Sequence, residues 1–384
     1  MNNLKVLLFL TIIPIICGAE CVLKFSKTSL TMPKNEEKNL TLFITDCTVE
    51  QNITFGIQVE YEENLVISPN FIKIEDNNTV TSIIIQLRTT DAGEAGVYTI
   101  SSDQNIKPAF VKVEVYKNYI LEIVSIVIGW TYFVTWTISF YPQVYVNHTR
   151  KSVVGLNFDF AVINITGYTM YALFNVGLYW IPLVRQQYEQ RYPLSVMSVL
   201  PNDIFFALHG LAFTLYIGLQ CLMYERGGQK VSWFGKGFHV IIVLVLIVSV
   251  ILCFVHYLLW LDFLYICSYI KLVVTFCKYG PQAIMNYKRR STKGWSIGAV
   301  LLDVVGGFCS IVQMFMNVYN YNESLAWLLS NPTKLWLGIF SLLFDLIFVI
   351  QHYCLYNGDS EEETPKVSED KIKFEKENNN CIKA

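Results

Sequence analysis

The sequence predicts an all-α polytopic membrane protein with seven transmembrane helices. We expect two parallel three-helix repeats joined by a fourth helix and preceded by a small β-sandwich-like luminal domain. Apolar residues make up 53% of the 384 residues and the mean hydropathy is +0.39, which is more apolar than a soluble domain of this length requires. Seven long apolar runs follow residue 116, and two segments among them match each other.

The N-terminus is typical of a secretory signal peptide over residues 1–19. Lys5 precedes an apolar run over residues 6–16, and small residues at Cys17 and Ala19 suit cleavage before Glu20. A run this short does not span a bilayer as a stable anchor. An uncleaved signal anchor is the alternative.

Residues 20–118 predict a glycosylated luminal domain rich in β-strands. The segment is polar, and apolar residues alternate with polar ones over 81–87 and 110–115. Cys21 and Cys47 could pair there in an oxidising lumen. Three sequons behind a signal peptide predict glycans on Asn39, Asn52 and Asn77.

The seven apolar runs are each long enough to cross the hydrocarbon core as a helix. They cover residues 119–141, 158–181, 203–224, 238–261, 263–279, 295–317 and 335–356. We predict four units in this part of the chain, which are a first repeat over 119–224, a linker helix over 225–262, a second repeat over 263–356 and a disordered cytosolic tail over 357–384.

Basic residues are divided unevenly between the two sets of loops. If the N-terminus is luminal, one set carries nine of them and the other carries Arg185 and Arg191. The richer set belongs in the cytosol, and the C-terminus follows it there. Both repeats then begin with a helix that runs from lumen to cytosol, so a fourth helix is needed between them.

Two Pro-Gln dipeptides, Pro142-Gln143 and Pro281-Gln282, reveal an internal duplication. We call the shift along the chain that places Pro142 on Pro281 the repeat offset. Without a gap, it pairs Asn147 with Asn286, Arg150 with Arg289, Ser152 with Ser291, Gly155 with Gly294, and Asn164 with Asp303.

Each proline could simply end or kink its helix. Because the surrounding loops also match, we favour hinges formed by Pro142, Gln143, Pro281 and Gln282. Duplicated membrane units are frequent in transporters, with the substrate held at the repeat interface.

Ionisable residues inside the apolar runs mark the candidate chemistry, because each costs roughly 2.5–3.5 kcal/mol at mid-bilayer if charged. They are Asp203, Lys271, Asp303 and Asp345, with Lys278 and Lys334 near helix ends. At helical spacing, Asp303, Lys271 and Asp345 each fall on a polar stripe. The alternatives are an N-cap for Asp203 and a snorkelling boundary residue for Lys334.

Other classes of function lack a signature in the sequence. His209, His256 and His352 do not have metal-ligand spacing with a carboxylate or thiol, so we predict no metal and no cofactor. The chain shows no nucleotide loop, no nucleophile triad and no nucleic-acid module. We therefore do not expect an enzyme.

Nine strings of the membrane region carry a specific pattern. They begin with SFYPQV at Ser139 and RKSVVGLNFDF at Arg150 and continue with NDIFFALH at Asn202, QCLMYERGGQKVSW at Gln220, SYIKL at Ser268, STKGWSIG at Ser291, LLDVVGG at Leu301, NPTK at Asn331 and FDLIFVIQHYCLY at Phe344. These strings resemble the PQ-loop family, and in particular its lysosomal cystine exporters. The match is ordered from Gly129 to Tyr356. The luminal segment is similar only in placement, size and sequons.

The resemblance implies site residues by position. It implies proton coupling by Asp203, Asp303 and Asp345, and a cystine site lined by Asn164, Lys271, Tyr279, Asp303 and Lys334. The chain departs from this pattern at Ala299, where these exporters carry an asparagine. The C-terminal Gly-Tyr-x-x-Leu lysosomal signal of the family is also missing after Tyr356.

The resulting hypothesis is proton-coupled export of L-cystine from the lysosome lumen, with Asp303 as the proton carrier. The expected partners are L-cystine, protons, the lipid bilayer and lysosomal nutrient-sensing complexes, with no nucleic acid. The expected location is the lysosomal membrane, with a luminal N-terminus and a cytosolic C-terminus. The alternatives are transport of another cationic or zwitterionic amino acid, and a non-transporting receptor or nutrient-sensing scaffold.

Overall fold

The computed structural model describes residues 21–45, 53–74, 82–101, 106–192, 199–323 and 332–356. Within these residues, strands come first and helices follow. The predicted signal peptide, Cys47, the sequons at Asn52 and Asn77, and the predicted tail lie outside the described residues.

The described residues of the N-terminal region form ten strands in two five-stranded sheets. Their bounds are β1 Cys21–Phe25, β2 Ser29–Pro33, β3 Glu37–Thr45, β4 Ile53–Glu60, β5 Leu65–Ser68, β6 Phe71–Ile74, β7 Ser82–Thr89, β8 Gly93–Ser101, β9 Ile106–Lys107 and β10 Phe110–Tyr116. The sheets have the orders β5-β7-β3-β1-β9 and β2-β10-β8-β4-β6. Alternating residues of both sheets, among them Leu42, Leu87, Val97 and Val113, form one buried core.

Ten α-helices follow the strands in the described part of the chain. Their bounds are α1 Tyr119–Ile138, α2 Phe140–Arg150, α3 Phe158–Trp180, α4 Pro182–Arg191, α5 Pro201–Met223, α6 Trp233–Phe254, α7 Trp260–Cys277, α8 Tyr279–Arg289, α9 Ile297–Asn320 and α10 Pro332–Ile350. A π-helical turn over Gln351–Leu355 continues α10.

Six helical segments of the described chain are long and apolar enough to cross a membrane, which makes this a multi-pass membrane protein. They are α1 with α2, α5, α6, α7 with α8, α9, and the later part of α10 with its π-helical turn. Helix α3 occupies the place of the second predicted span and is 23 residues long. Helix α3 has a lower mean hydropathy than these six segments because it carries buried polar residues such as Asp159, Asn164 and Asn175.

The segments after Pro142 and Pro281 were predicted as loops, and this prediction is wrong. The chain is helical as far as Arg150 in α2 and as far as Arg289 in α8. Each proline occupies the third position of its helix, where a backbone N–H has no acceptor within the helix, so proline is tolerated there.

The membrane helices pack as two bundles, and each sequence repeat contributes helices to both. Helix α1 packs on α9 and α3 packs on α7, while α5 packs on α3 and α10 on α9. Glycines at matching positions allow the close approach, since Gly167 of α3 lies against Val274 and Gly306 of α9 lies against Trp136. We call α3, α5 and α7 the first bundle, and α1, α9 and α10 the second bundle.

Candidate functional site

The Pro-Gln glutamine of the first repeat binds the loop of the second repeat. Gln143 Nε2 donates to the carbonyl oxygen of Gly294 at 3.0 Å and to Asn147 Oδ1 at 2.9 Å. Gln143 Oε1 accepts a hydrogen bond from the backbone N–H of Ser296 at 2.9 Å. The side chain therefore holds both the end of the loop and the start of α9.

The glutamine of the second repeat makes the reciprocal bonds. Gln282 Nε2 donates to the carbonyl oxygen of Gly155 and to Asn286 Oδ1, both at 2.9 Å. Gln282 Oε1 accepts from the backbone N–H of Asn157 at 2.7 Å. Every donor and acceptor matches its counterpart at the repeat offset. We call the two sets of bonds the glutamine clasp.

The clasp extends to the third helix of each repeat through two buried asparagines. Asn147 Nδ2 donates to Gln220 Oε1 of α5 at 2.9 Å. Asn286 Nδ2 donates to Gln351 Oε1 in the π-helical turn at 3.1 Å. Both asparagines are fully buried. Because buried amides are costly when unpaired, this network favours one arrangement of the two bundles.

At the centre of the clasp, the two loops touch through matched glycines. Gly155 has φ +108° and Gly294 has φ +95°. A Cβ on Gly155 would overlap the carbonyl oxygen of Lys293, and a Cβ on Gly294 would overlap the carbonyl oxygen of Val154. Only glycine suits both the backbone angle and the contact. The contact between these loops thus closes the end of the two bundles at which α3 and α9 begin.

We expect Gln282→Ala to destabilise this closed arrangement. The change removes the partner of the half-buried Asn157 N–H and of the buried Asn286 Oδ1. A buried group left unsatisfied costs about 1–3 kcal/mol. Thermal unfolding followed with a thiol-reactive dye measures this, because Cys221, Cys253 and Cys267 are buried. The control is Gln229→Ala, which removes one loop hydrogen bond to the carbonyl oxygen of Val153. Equal melting temperatures for the two variants would contradict the assignment.

Asp303 of α9 lies where α7, α8 and α10 meet. The hydroxyl of Tyr279 donates to Asp303 Oδ2 at 2.9 Å, and the hydroxyl of Ser341 donates to the same oxygen at 3.3 Å. One helical turn beyond Ser341, Asp345 is 1% exposed. Its Oδ2 atom has no hydrogen-bond partner among the described residues. Two carboxyl groups therefore lie beside one serine.

The residue before Tyr279 reaches the matching position of the first repeat. Lys278 is buried, and its Nζ atom lies 3.4 Å from Asn164 Oδ1 and 4.4 Å from the ring centroid of Tyr279. Two consecutive residues at the junction of α7 and α8 thus contact Asn164 and Asp303, which correspond in the duplication. The site lies at the seam between the repeats.

Lys271 of α7 lies over aromatic rings of α3. Its Nζ atom is 4.0 Å from the ring centroid of Tyr168 and 5.7 Å from that of Tyr171. These contacts stabilise an ammonium group through cation–π attraction. Lys271 is also within electrostatic reach of Lys278 and Asp303.

Asp203 lies apart from the Asp303 cluster, in the first turn of α5. Its Oδ2 atom accepts from the backbone N–H of Leu200 at 2.9 Å. Leu200 is the N-cap residue and Asp203 is the third residue of α5, so Asp203 is not the N-cap itself but supplies the acidic side chain of a capping box. It also lines a cavity of about 370 Å³ between the two bundles. The wall of this cavity includes Trp130, Tyr132, Trp136 and Tyr171.

The structure thus brings together Asn164, Lys271, Tyr279, Asp303 and Asp345. Tyr168, Lys278 and Ser341 join them, although the sequence-based site set omitted all three. Tyr168 is one turn from Asn164 on α3, and helical spacing could have identified it. Lys334 lies in α10, but its side chain is outside the described set. No group of three metal-ligating side chains occurs in the described part of the chain.

Comparison with known proteins identifies relatives of the whole membrane region. A family model described as PQ loop repeat matches residues 124–184 and 263–322. Cystinosin from Drosophila melanogaster is 42% identical over 336 residues, covering 86% of this chain and 84% of the relative. Cystinosin from Bos taurus is 42% identical over 87% of this chain and 88% of the relative. A cystine transporter from Saccharomyces cerevisiae is 25% identical over 59% of this chain and 92% of the relative.

The two segments that match the family model begin at residues 124 and 263, and these positions are related by the repeat offset that also relates the two halves of the glutamine clasp. The alignments with the two cystinosins cover most of this chain and most of each relative. This chain therefore belongs to the cystinosin family of PQ-loop repeat proteins.

Proposed function

We propose that this protein exports L-cystine from the lysosome lumen to the cytosol together with protons, by alternating access. The observation that carries the proposal is the cluster at the seam, where Lys278 contacts Asn164 while Tyr279 contacts Asp303. Cystine has two ammonium and two carboxylate groups, and a site that mixes acids, lysines and amides can pair with both kinds.

Each substrate-binding residue has a role that fits its chemistry. Lys271 and Lys334 are proposed to pair with the carboxylates of cystine. Asn164 offers an amide, and Tyr279 offers a hydroxyl beside the Asp303 carboxylate. The relative from Saccharomyces cerevisiae is named a cystine transporter, which supports this choice of substrate over other amino acids.

We propose that the carboxyl groups of Asp203, Asp303 and Asp345 take up the transported protons. Asp203 lines the cavity between the bundles, and Asp303 and the buried Asp345 both lie beside Ser341. Two neighbouring carboxyl groups away from water resist being charged together. We therefore propose that one proton is held by the Asp303 and Asp345 pair when the site faces an acidic lumen, and is released toward the neutral cytosol.

Alternating access is proposed to use the two Pro-Gln elements, Pro142 with Gln143 and Pro281 with Gln282. The glutamine clasp closes one end of the bundle, and the rule for basic loops assigns that end to the cytosol. Export then requires the clasp to open. The prolines limit the backbone hydrogen bonding where α2 and α8 begin, which favours bending at these points.

The arrangement in the membrane follows from the same proposal. Seven spans in the order three, one and three place the strand-rich domain of residues 20–118 and its glycan on Asn39 in the lumen. Asn39 lies on the exposed face of β3, as a glycan acceptor must. The tail over 357–384 is then cytosolic.

The proposal is tested by reconstitution of the full chain in liposomes. Labelled cystine is added outside at acidic pH, with a neutral interior, and we expect accumulation that collapses when the pH gradient is abolished. Unlabelled lysine, arginine and cystine serve as competitors. Uptake of another cationic or zwitterionic amino acid in place of cystine would support that alternative. Binding without uptake would support the scaffold.

A further inference from the structure

A second cavity, far more apolar than the candidate site, opens between membrane helices of the first bundle. Helices α5 and α7 both pack on α3 and barely touch each other. The gap between them is a groove of about 580 Å³ whose floor is one face of α3 and whose walls include Leu208 of α5 and Phe263 of α7. This volume is typical of a ligand pocket. The hydroxyl of Thr169, on the floor, already donates to the carbonyl oxygen of Ile165.

The duplication provides an internal comparison for this groove. At the repeat offset, the floor positions correspond to residues of α9 in the second repeat. Three of them are much bulkier there, because Phe308, Ile311 and Phe315 stand where the groove has Thr169, Ala172 and Val176. In the second repeat, Ile311 lies against Gly338 of α10. Phe308 and Phe315 are exposed on α9. The second repeat therefore has bulky side chains at positions where the first repeat leaves an open groove.

One end of the groove reaches the membrane interface. The short polar helix α4 supplies Leu183 and Val184 to the lining. Trp260, at the start of α7, lines the same end, and such aromatic residues are enriched at the headgroup level. The next residue of α4, Arg185, is exposed and forms no ion pair with any residue that the structure describes. A guanidinium group in this position suits a phosphate.

We propose that this groove binds an anionic phospholipid of the bilayer, with one acyl chain over α3 and the phosphate beside Arg185. An acyl chain gains no hydrophobic free energy on moving from lipid into an apolar groove. Selectivity then comes from van der Waals contact along the floor and from the charge of Arg185. The occupied groove would hold α5 and α7 at a fixed separation on α3.

Native mass spectrometry of the purified full chain tests the proposal, with phosphatidylglycerol and phosphatidylcholine supplied in equal amounts. We expect one retained phospholipid, with phosphatidylglycerol favoured about five-fold, the factor expected for one basic residue near a membrane surface. Arg185→Gln should bring the two lipids near parity. The double variant Ala172→Ile, Val176→Phe, which copies the second repeat, should lose most of the adduct. The control Val245→Phe, on an exposed position of α6, should keep it.

A wild-type level of adduct in the folded double variant would overturn the proposal, as would retention of a sterol or detergent alone. Crosslinking of the wild-type chain provides a second test, which does not depend on whether the double variant folds. A phosphatidylglycerol with a diazirine in its acyl chain, used in liposomes, should label peptides over 169–184, 208–211 and 260–264. Labelling confined to α6 would contradict the groove.

Discussion

Asp303→Asn is expected to abolish proton-driven accumulation of cystine. Asparagine keeps the shape of the side chain and can still accept from the hydroxyl of Tyr279, but it cannot take up a proton. It also removes a negative charge beside Lys271 and Lys278, and an unbalanced charge within a membrane costs about 2.5–3.5 kcal/mol. We therefore expect the initial rate in proteoliposomes to fall on the order of 100-fold.

The control for this experiment is Ser341→Ala. It removes the 3.3 Å hydrogen bond to the same Asp303 oxygen and leaves the carboxyl able to titrate. We expect this variant to transport more slowly and to keep its dependence on the pH gradient. If Asp303→Asn transported with full proton dependence, the proton carrier would have to be sought at Asp345 or Asp203.

Gly155→Ala and Gly294→Ala are each expected to prevent the glutamine clasp from closing. Either new Cβ overlaps a carbonyl oxygen of the opposite loop, and each residue has a positive φ that costs about 1–3 kcal/mol for other residues. This free energy changes the balance between closed and open forms roughly 5- to 150-fold. We expect slow cystine uptake from both variants and a lower melting temperature.

Gly228→Ala provides the matched control. Gly228 has φ +75°, but no atom lies within 4 Å of the position that its Cβ would take. It reports the effect of the backbone angle without the contact. A loss of uptake as large in Gly228→Ala as in Gly155→Ala would show that loop strain alone, and not contact between the loops, limits transport.

The sequence alone predicted the parts of the fold that depend on composition and periodicity. The apolar runs located the membrane helices to within a few residues at most ends, and alternation of apolar and polar residues located two of the strands, β7 and β10. The loops predicted after Pro142 and Pro281 were wrong because the apolar runs end near these prolines, whereas the helices α2 and α8 continue through polar residues. In the first turn of a helix, proline removes a donor that has no acceptor there.

The candidate site was predictable in part of its residues but not in its contacts. The repeat offset showed that Gln143 corresponds to Gln282, yet a correspondence does not say that each side chain binds the other repeat. Asp303 was indicated as an ionisable residue within an apolar run, whereas Tyr279 followed from the family resemblance. Lys278 was considered near a helix end and omitted from the site, because its contact with Asn164 depends on how α3 packs on α7, which helical periodicity does not encode.

The division into two bundles has a consequence for biosynthesis. The first bundle comes from one continuous stretch of chain, whereas the second joins α1 to helices made much later. At about 5–20 residues per second, translation from Ile138 to Ile297 takes on the order of ten to thirty seconds. During that time α1 lies in the membrane without its partner α9, and the hydroxyl of Ser125 has not yet formed its hydrogen bond to Asn317. A chain interrupted in this interval would leave an orphan first helix for quality control to recognise.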